Sequence, residues 1–216
     1  MHPHLTKGLL IVIEGIDGSG KSTLAKHLAH ALINRGLPIR LTREPGGSPL
    51  GTHLRTLVQE QTMPLCPKAE YLLFAADRAQ HIHQVIKPSL EHGMVVISDR
   101  MADSSLVYQG YGRGLDKEMI KRINAWAMED MTPDITFYVR VSAPVAIKRI
   151  LSRNAELSAF EKEHYSFIER LIQGFDELFE NKPNGYIIDG EQSEIAVANQ
   201  ALEYVVSWIQ RNNQFK

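Results

Sequence analysis

The sequence holds a single cysteine, Cys66, among its 216 residues. Neither an intramolecular disulfide nor a cysteine-cluster metal site is therefore open to it, and a small packed thiol is the expected role for Cys66. An excess of charge of either sign is also missing: 24 Lys and Arg face 25 Asp and Glu, for a formal net charge of −1. General nucleic-acid binders carry a basic excess, so that class is excluded, although a few placed arginines still suffice for one phosphorylated ligand. Long apolar runs are absent. Leu9–Ile13 and Met94–Ile97 are far too short to span a bilayer, and Met1–Lys7 lacks the charged-then-apolar pattern of a signal peptide. There is no repeat, low-complexity tract or Gly/Ser-rich linker. These absences predict a cytoplasmic protein with neither membrane nor nucleic acid as partner, and a length of this order fits one domain.

What is present is an alternation of short β-rich runs with longer helical stretches. Leu9–Glu14 (LLIVIE) is a near-continuous apolar run, the mark of a strand covered on both faces. Lys21–Arg35 predicts a helix that ends before Gly36. Further strands are predicted at Pro38–Thr42, Met94–Ser98, Ile135–Val141 and Tyr186–Asp189. Helices are predicted at Ser48–Gln59, Lys68–Glu91, Pro144–Arg153, Phe160–Phe179 and Glu194–Arg211. Strands joined by crossovers of this length make a mostly parallel sheet with helices on both faces, an α/β fold. Ligands of such sheets bind beyond the carboxyl ends of the strands, and the polar motifs here follow the first three strands.

Directly after the first strand stands Gly15-Ile16-Asp17-Gly18-Ser19-Gly20-Lys21-Ser22, then Thr23 and a helix. This is the G-x-x-x-x-G-K-[ST] phosphate loop in its strand–loop–helix setting. Its glycines let successive N–H groups turn inward as an anion nest at a helix N-terminus. Lys21 supplies charge to the terminal phosphates, and the Ser22 hydroxyl suits Mg²⁺. A nucleotide switch is set aside because the nearest base-reading candidate, Asn181-Lys182-Pro183-Asn184, lacks the aspartate and follows a helix.

Arg43-Glu44-Pro45-Gly46-Gly47 follows the second strand, with Arg55 on the next helix. Phe74 and Arg78 lie four residues apart on one helix face, and Asp99-Arg100 ends the third strand ahead of Ser105, Tyr108 and Gln109. Several arginines thus converge on the carboxyl edge of the sheet. Guanidinium forks match phosphate oxygens bidentately, an aromatic face can stack on a base, and serine and glutamine can read its polar edge. A second, phosphorylated substrate is predicted.

The segments GIDGSGKST, TREPGGSPLG, LLFAADRAQHI and SDRMADSSLVYQGYGRG, in this order, resemble bacterial thymidylate kinases over about the first half of the chain. The resemblance implies a five-stranded sheet, ATP with Mg²⁺, dTMP as acceptor and a homodimer, for which the Lys68–Glu91 and Asp116–Met131 helices offer a face. It puts thymine on Phe74 with Arg78, Ser105 and Gln109 at its edge, the acceptor phosphate near Arg43, Arg55 and Arg100, and Tyr108 against the sugar. Glu44 and Asp99 fall near magnesium, and Asp17 faces the acceptor side. Met101 departs from the family, which more often has an aromatic residue there. The family carries a catalytic arginine in the phosphate loop or in a lid; Gly18 stands at the first position, so Arg153, with Arg149 as second choice, is expected to reach the transferring phosphate from a lid at about 149–160. The loop after Gly185–Gly190 is expected to border adenine. The nearest alternatives are another nucleoside monophosphate or deoxynucleoside kinase and, from a different class, a nucleotide sensor without turnover. The pairs His27/His30 and His81/His83 are read as ordinary side chains, not metal ligands.

Overall fold

Every side chain of Leu9–Glu14 is buried, and alternate residues face opposite layers. Leu9, Ile11 and Ile13 pack with α1 (Lys21–Ile33) and α9 (Glu194–Arg211). Leu10 and Val12 pack with Ile82, Ile86 and Val96 on the other side. A strand covered on both faces must sit centrally, and this one, β1, does. The computed structural model describes residues 7–60, 64–152 and 165–212. Within them β2 (Ile39–Arg43), β3 (Val95–Asp99), β4 (Ile135–Arg140) and β5 (Gly185–Asp189) complete a five-stranded, all-parallel sheet in the order β2-β3-β1-β4-β5. The chain leaving β1 travels toward β2, and the chain leaving β3 travels toward β4. Their carboxyl ends therefore diverge, which opens the crevice where α/β proteins bind ligands.

The second face is covered by α3 (Pro67–His81) with its continuation, and by α7 (Ala143–Leu151) and α8 (Tyr165–Phe179). Phe175 and Phe179 of α8 pack on Tyr138 of β4, with centroids 5.1 and 5.2 Å away. α2 (Pro49–Glu60) and α6 (Lys117–Ala127) flank α3. The long helix predicted over Lys68–Glu91 is continuous but not uniform. A π-helical turn at Ile82–Ile86 separates α3 from α4 (Lys87–Glu91), with the Lys87 N–H bonded back to the Ile82 carbonyl. Pro88 has no N–H to donate to the preceding turn, and a widened turn absorbs that loss. After β3 the chain forms α5 (Ala102–Ser105) and a second π-helical stretch, Leu106–Gly112, in a segment with no expected helix. Arg100 turns the chain out of β3 with a left-handed φ of 73°. No helix among the described residues is long and apolar enough to cross a membrane.

Candidate active site

The phosphate loop bridges β1 and α1. Gly20 adopts φ 101° immediately before Lys21, a conformation that side chains other than glycine resist. A Cβ on Gly18 would lie 2.5 Å from the Ala146 carbonyl oxygen, so the loop is pressed against α7 and nothing larger fits. Lys21 is buried and its Nζ donates to the Ile16 carbonyl at 2.7 Å. Burial, aided by repulsion from Arg100, brings its pKa down to about 8. The Ser22 hydroxyl donates to Asp99 Oδ2, placing hard oxygen ligands side by side at the mouth of the loop. Ser19 Oγ is buried without a partner among the described residues.

Arg100 ties the loop to the neighbouring strand. Its guanidinium donates to Gly15 O at 2.7 Å, Ser104 Oγ at 2.9 Å, Asp17 Oδ1 at 2.5 Å and Tyr108 Oη at 3.2 Å. The Tyr108 hydroxyl donates to Asp17 Oδ2 at 2.9 Å. Burial alone would raise the Asp17 pKa, but the Arg100 and Lys21 charges overrule it and hold the carboxylate at about 2. Burial likewise opposes the Arg100 charge, and Asp17, Tyr108 and Asp99 lift its pKa above the ordinary guanidinium range. Burial pushes the Tyr108 phenol upward, so it stays protonated and able to donate.

Beside this cluster a pocket is lined by Arg55, Phe74, Arg78, Arg100, Tyr108 and Gln109. Arg43 lines the adjoining recess with Ser22 and Asp99, and Arg43 and Arg55 flank Gly46 from two sides. Phe74, Arg78, Arg100, Ser105, Tyr108 and Gln109 thus share one pocket. Arg78 is 2 % exposed and donates to Glu44 Oε2 at 2.9 Å, Asn124 Oδ1 at 2.7 Å, Met101 O at 3.1 Å and Ser105 Oγ at 3.0 Å.

Glu44, which the resemblance puts near magnesium, lines the same pocket. Both of its oxygens are committed, one to Arg78 and the other to His81 Nδ1 at 3.0 Å, in a site 4 % exposed. Burial works against the Glu44 charge, but Arg78 and His81 hold its pKa below the usual range. Asp77, also lining the pocket, has Oδ2 buried without a partner among the described residues. Burial, then repulsion from Glu44, raises its pKa to about 6. Asp77 Oδ1 accepts from Gly46 N–H at 3.2 Å, which fixes the turn after β2.

Other expectations meet mixed outcomes. Arg149 on α7 donates to the Ser19 carbonyl at 3.3 Å, beside the phosphate loop. Arg153 and most of the expected lid lie outside the described residues. Cys66 is exposed, not packed, because it precedes α3 at its N-cap. His27 has a carboxylate 3.8 Å away in Glu194, a partner that arrives from α9. His81 is fully buried between Thr42 Oγ1, at 2.7 Å, and Glu44, while His83 is exposed. Among the described residues no group of three or more His, Cys, Asp or Glu is arranged to hold a metal ion.

Sequence reading missed the supporting residues. Glu14, at the end of β1, accepts from Met101 N–H at 2.8 Å and from the Ser104 hydroxyl at 2.5 Å, so it braces the turn that carries Arg100. Burial, then repulsion from Asp103, lifts the Glu14 pKa to about 7. Glu70 accepts from Gln109 Nε2 at 2.9 Å, and Asn124 anchors Arg78. The one signal available was a charged residue closing an otherwise apolar strand or interrupting the inner face of a helix.

A family model for thymidylate kinase matches residues 13–201. The chain is 44% identical to a thymidylate kinase from Synechococcus over 204 residues, covering 91% of this chain and 95% of the relative. It is 42% identical to a thymidylate kinase from Halothermothrix orenii over 178 residues, covering 82% of this chain and 86% of the relative. A crystal structure of thymidylate kinase from Ehrlichia chaffeensis superposes with a TM-score of 0.74 at 32% identity, covering 92% of this chain and 98% of that one. With a family match across most of its length and a phosphate loop joined by Arg100 to an arginine-lined second pocket, the chain belongs to the thymidylate kinase family.

Proposed function

We propose that the chain transfers the γ-phosphoryl group of ATP to dTMP, giving dTDP and ADP. The observation that carries this reading is the double attachment of Arg100, which bonds the phosphate loop at Gly15 and Asp17 and also lines the pocket holding Phe74 and Gln109. Donor and acceptor sites therefore meet at one guanidinium. Phosphoryl transfer asks chiefly for alignment and charge neutralisation, and this arrangement supplies both.

In this reading the loop N–H groups from Gly15 to Thr23 and Lys21 take the β- and γ-phosphates. Arg43, Arg55 and Arg100 take the acceptor phosphate, and Phe74 stacks on thymine. Ser22 and Asp99 fit a magnesium ion, since a hydroxyl and a carboxylate oxygen suit its preference for hard ligands beside water and phosphate. Bound there, the ion would offset charge on the donor phosphates. Tyr108, whose hydroxyl donates to Asp17, would lie against the sugar and disfavour a 2′-hydroxyl. No side chain is required as a strong base, because the nucleophile is already an anionic phosphate oxygen. The test is ADP release with ATP and Mg²⁺ across dTMP, dUMP, UMP, CMP, AMP and thymidine. Strong preference for dTMP is expected; preference for thymidine or a ribonucleotide would overturn the acceptor assignment, and turnover without any acceptor dependence would overturn the kinase reading.

Arg149 is proposed to reach the transferring phosphate together with Arg153, from a lid over about 149–160 that closes a single domain. Its support is the contact with Ser19 O at the rim of the phosphate loop. Arginines of this kind are worth about 10³–10⁵ in related phosphoryl-transfer systems. Arg149→Ala and Arg153→Ala are expected to split unequally in kcat, with at least one falling about 10³-fold. Both staying within a few-fold of the parent would remove the lid from the chemistry.

A homodimer is proposed through α2, α3 and α6. Leu50 is 46% exposed, Leu72 55%, Met119 49% and Trp126 82%, all on these three neighbouring helices. Exposed apolar side chains gathered on neighbouring helices suit an association surface. Leu72→Arg is expected to sediment at half the parent's mass. A parent that already sediments as a monomer would discard the proposal.

A further inference from the structure

Gln109 has two chemically opposite ends, and which end faces the pocket decides what it can read. Its Nε2 donates to Glu70 Oε1 at 2.9 Å, and both residues are buried, at 1% and 4% exposure. A carboxylate accepts and does not donate, so this bond can form only with the amide nitrogen turned toward Glu70. Arg113 Nε stands 3.6 Å from the same Glu70 oxygen, as suits a carboxylate. Gln109 Oε1 keeps no protein donor among the described residues and belongs to a side chain that lines the pocket.

Arg78, which lines the same pocket, has the opposite polarity, equally fixed. Arg78 has five N–H groups. Four of them are taken by Glu44, Asn124, Met101 O and Ser105. Asn124 is itself oriented, since its Nδ2 donates to Ala102 O at 3.2 Å. The remaining N–H of Arg78 is on Nη1, and Arg78 lines the same pocket. Side by side on the pocket wall, Gln109 therefore offers an acceptor and Arg78 a donor. A pyrimidine with an N3–H and a 4-oxo group complements that pair. Cytosine presents an acceptor at N3 and an amino donor at C4, so it is mismatched at both points.

We infer that Glu70 is a specificity-positioning residue: by fixing the amide of Gln109 with its oxygen toward the pocket, it makes the enzyme select 4-oxo over 4-amino pyrimidine nucleotides. The inference rests on the proposed role of Gln109 at the base edge. Loss of the Glu70 carboxylate frees the amide to turn, and a turned amide donates to N3 of cytosine while opposing the N3–H of thymine.

The experiment measures kcat/KM for dTMP, dUMP and dCMP in four proteins: the parent, Glu70→Gln, Gln109→Leu, and the exchange variant Glu70→Gln with Gln109→Glu. In Glu70→Gln the preference for dTMP and dUMP over dCMP is expected to fall about tenfold or more, the scale of one mispaired buried group. The ratio of dTMP to dUMP should stay within threefold, because both bases present the same edge. In the exchange variant the amide of residue 70 donates to the carboxylate of residue 109, an acceptor that cannot turn round, and the preference should return. A uniform loss on all three acceptors in Glu70→Gln would reduce Glu70 to a structural role and overturn the inference. So would a preference that is unchanged in Glu70→Gln, or one that the exchange fails to restore, while Gln109→Leu abolishes it. If Gln109→Leu leaves the preference intact, the base-reading role of Gln109 fails first, and the inference falls with it.

Discussion

Lys21→Met is expected to lower kcat by about 10²–10³ or more, the loss typical of removing one preorganised donor from a developing charge, while thermal stability holds or rises. The two halves of that expectation have one cause. Lys21 is buried within the phosphate loop, and its burial is what draws its pKa down to about 8. The protein keeps a desolvated cation there whose partner within the loop is a single carbonyl, Ile16 O. A thioether of similar length removes the desolvation cost and with it the charge needed by the donor phosphates. The same pKa sets a pH dependence. Lys21 is protonated below about 8 and neutral above it, so kcat/KM for ATP should be level below neutrality and decline as pH rises through about 8. Steady-state rates across pH 6–9.5, with melting curves for both proteins, check each part. A Lys21→Met protein with kcat within tenfold of the parent would sink the assignment.

Replacing Arg100 carries the second large effect, and here activity and stability fall together. Arg100→Met leaves the Asp17 carboxylate without its guanidinium and removes one of the hydrogen bonds at the Tyr108 hydroxyl. Arg100 and Asp17 are partly exposed, so breaking the pair costs less than the ~3 kcal/mol of a fully buried one, and urea unfolding should still shift to lower denaturant. The kcat/KM for dTMP should drop by about 10³, because both the acceptor phosphate and the position of Asp17 depend on the same fork. Arg100→Lys keeps the charge but not the four-way hydrogen bonding. It is expected to recover much of the stability and little of the rate. Full recovery of rate by lysine would show that charge alone suffices and that the fork geometry is incidental.

These effects follow from residues visible in the sequence, and the reason lies in local chemistry. The phosphate loop is contiguous, so its glycines, Lys21 and Ser22 could be read without knowing the fold. β1 and α9 likewise begin and end where the apolar pattern places them, at Leu9–Glu14 and Glu194–Arg211. The residues that hold the site in place were not legible, since their partners are distant in the chain. Glu44 and Arg78 meet across 34 positions, Glu70 and Gln109 across 39, and Glu14 and Ser104 across 90. Nothing in the local pattern around Glu44 announced its ion pair with Arg78, which arrives from α3. The π-helical turn before Pro88 had a signal, a proline within an otherwise helical run, and a uniform helix there was too simple a reading. The stretch Leu106–Gly112 had none beyond its two glycines, because the widened turn answers to packing against α8.

Arg100 also makes heat resistance a poor guide to which variants of this protein work. Its left-handed φ of 73° is one where an L side chain costs about 1–2 kcal/mol and glycine costs almost nothing. Evolution in a library ranked by melting temperature would meet two pressures: relaxing the backbone with glycine at position 100, and silencing the orphaned Asp17 with a neutral residue at position 17. A clone carrying both changes would be sturdy, soluble and inert. Survivors of a heat challenge would therefore need to be sorted by turnover before anything was concluded from their number.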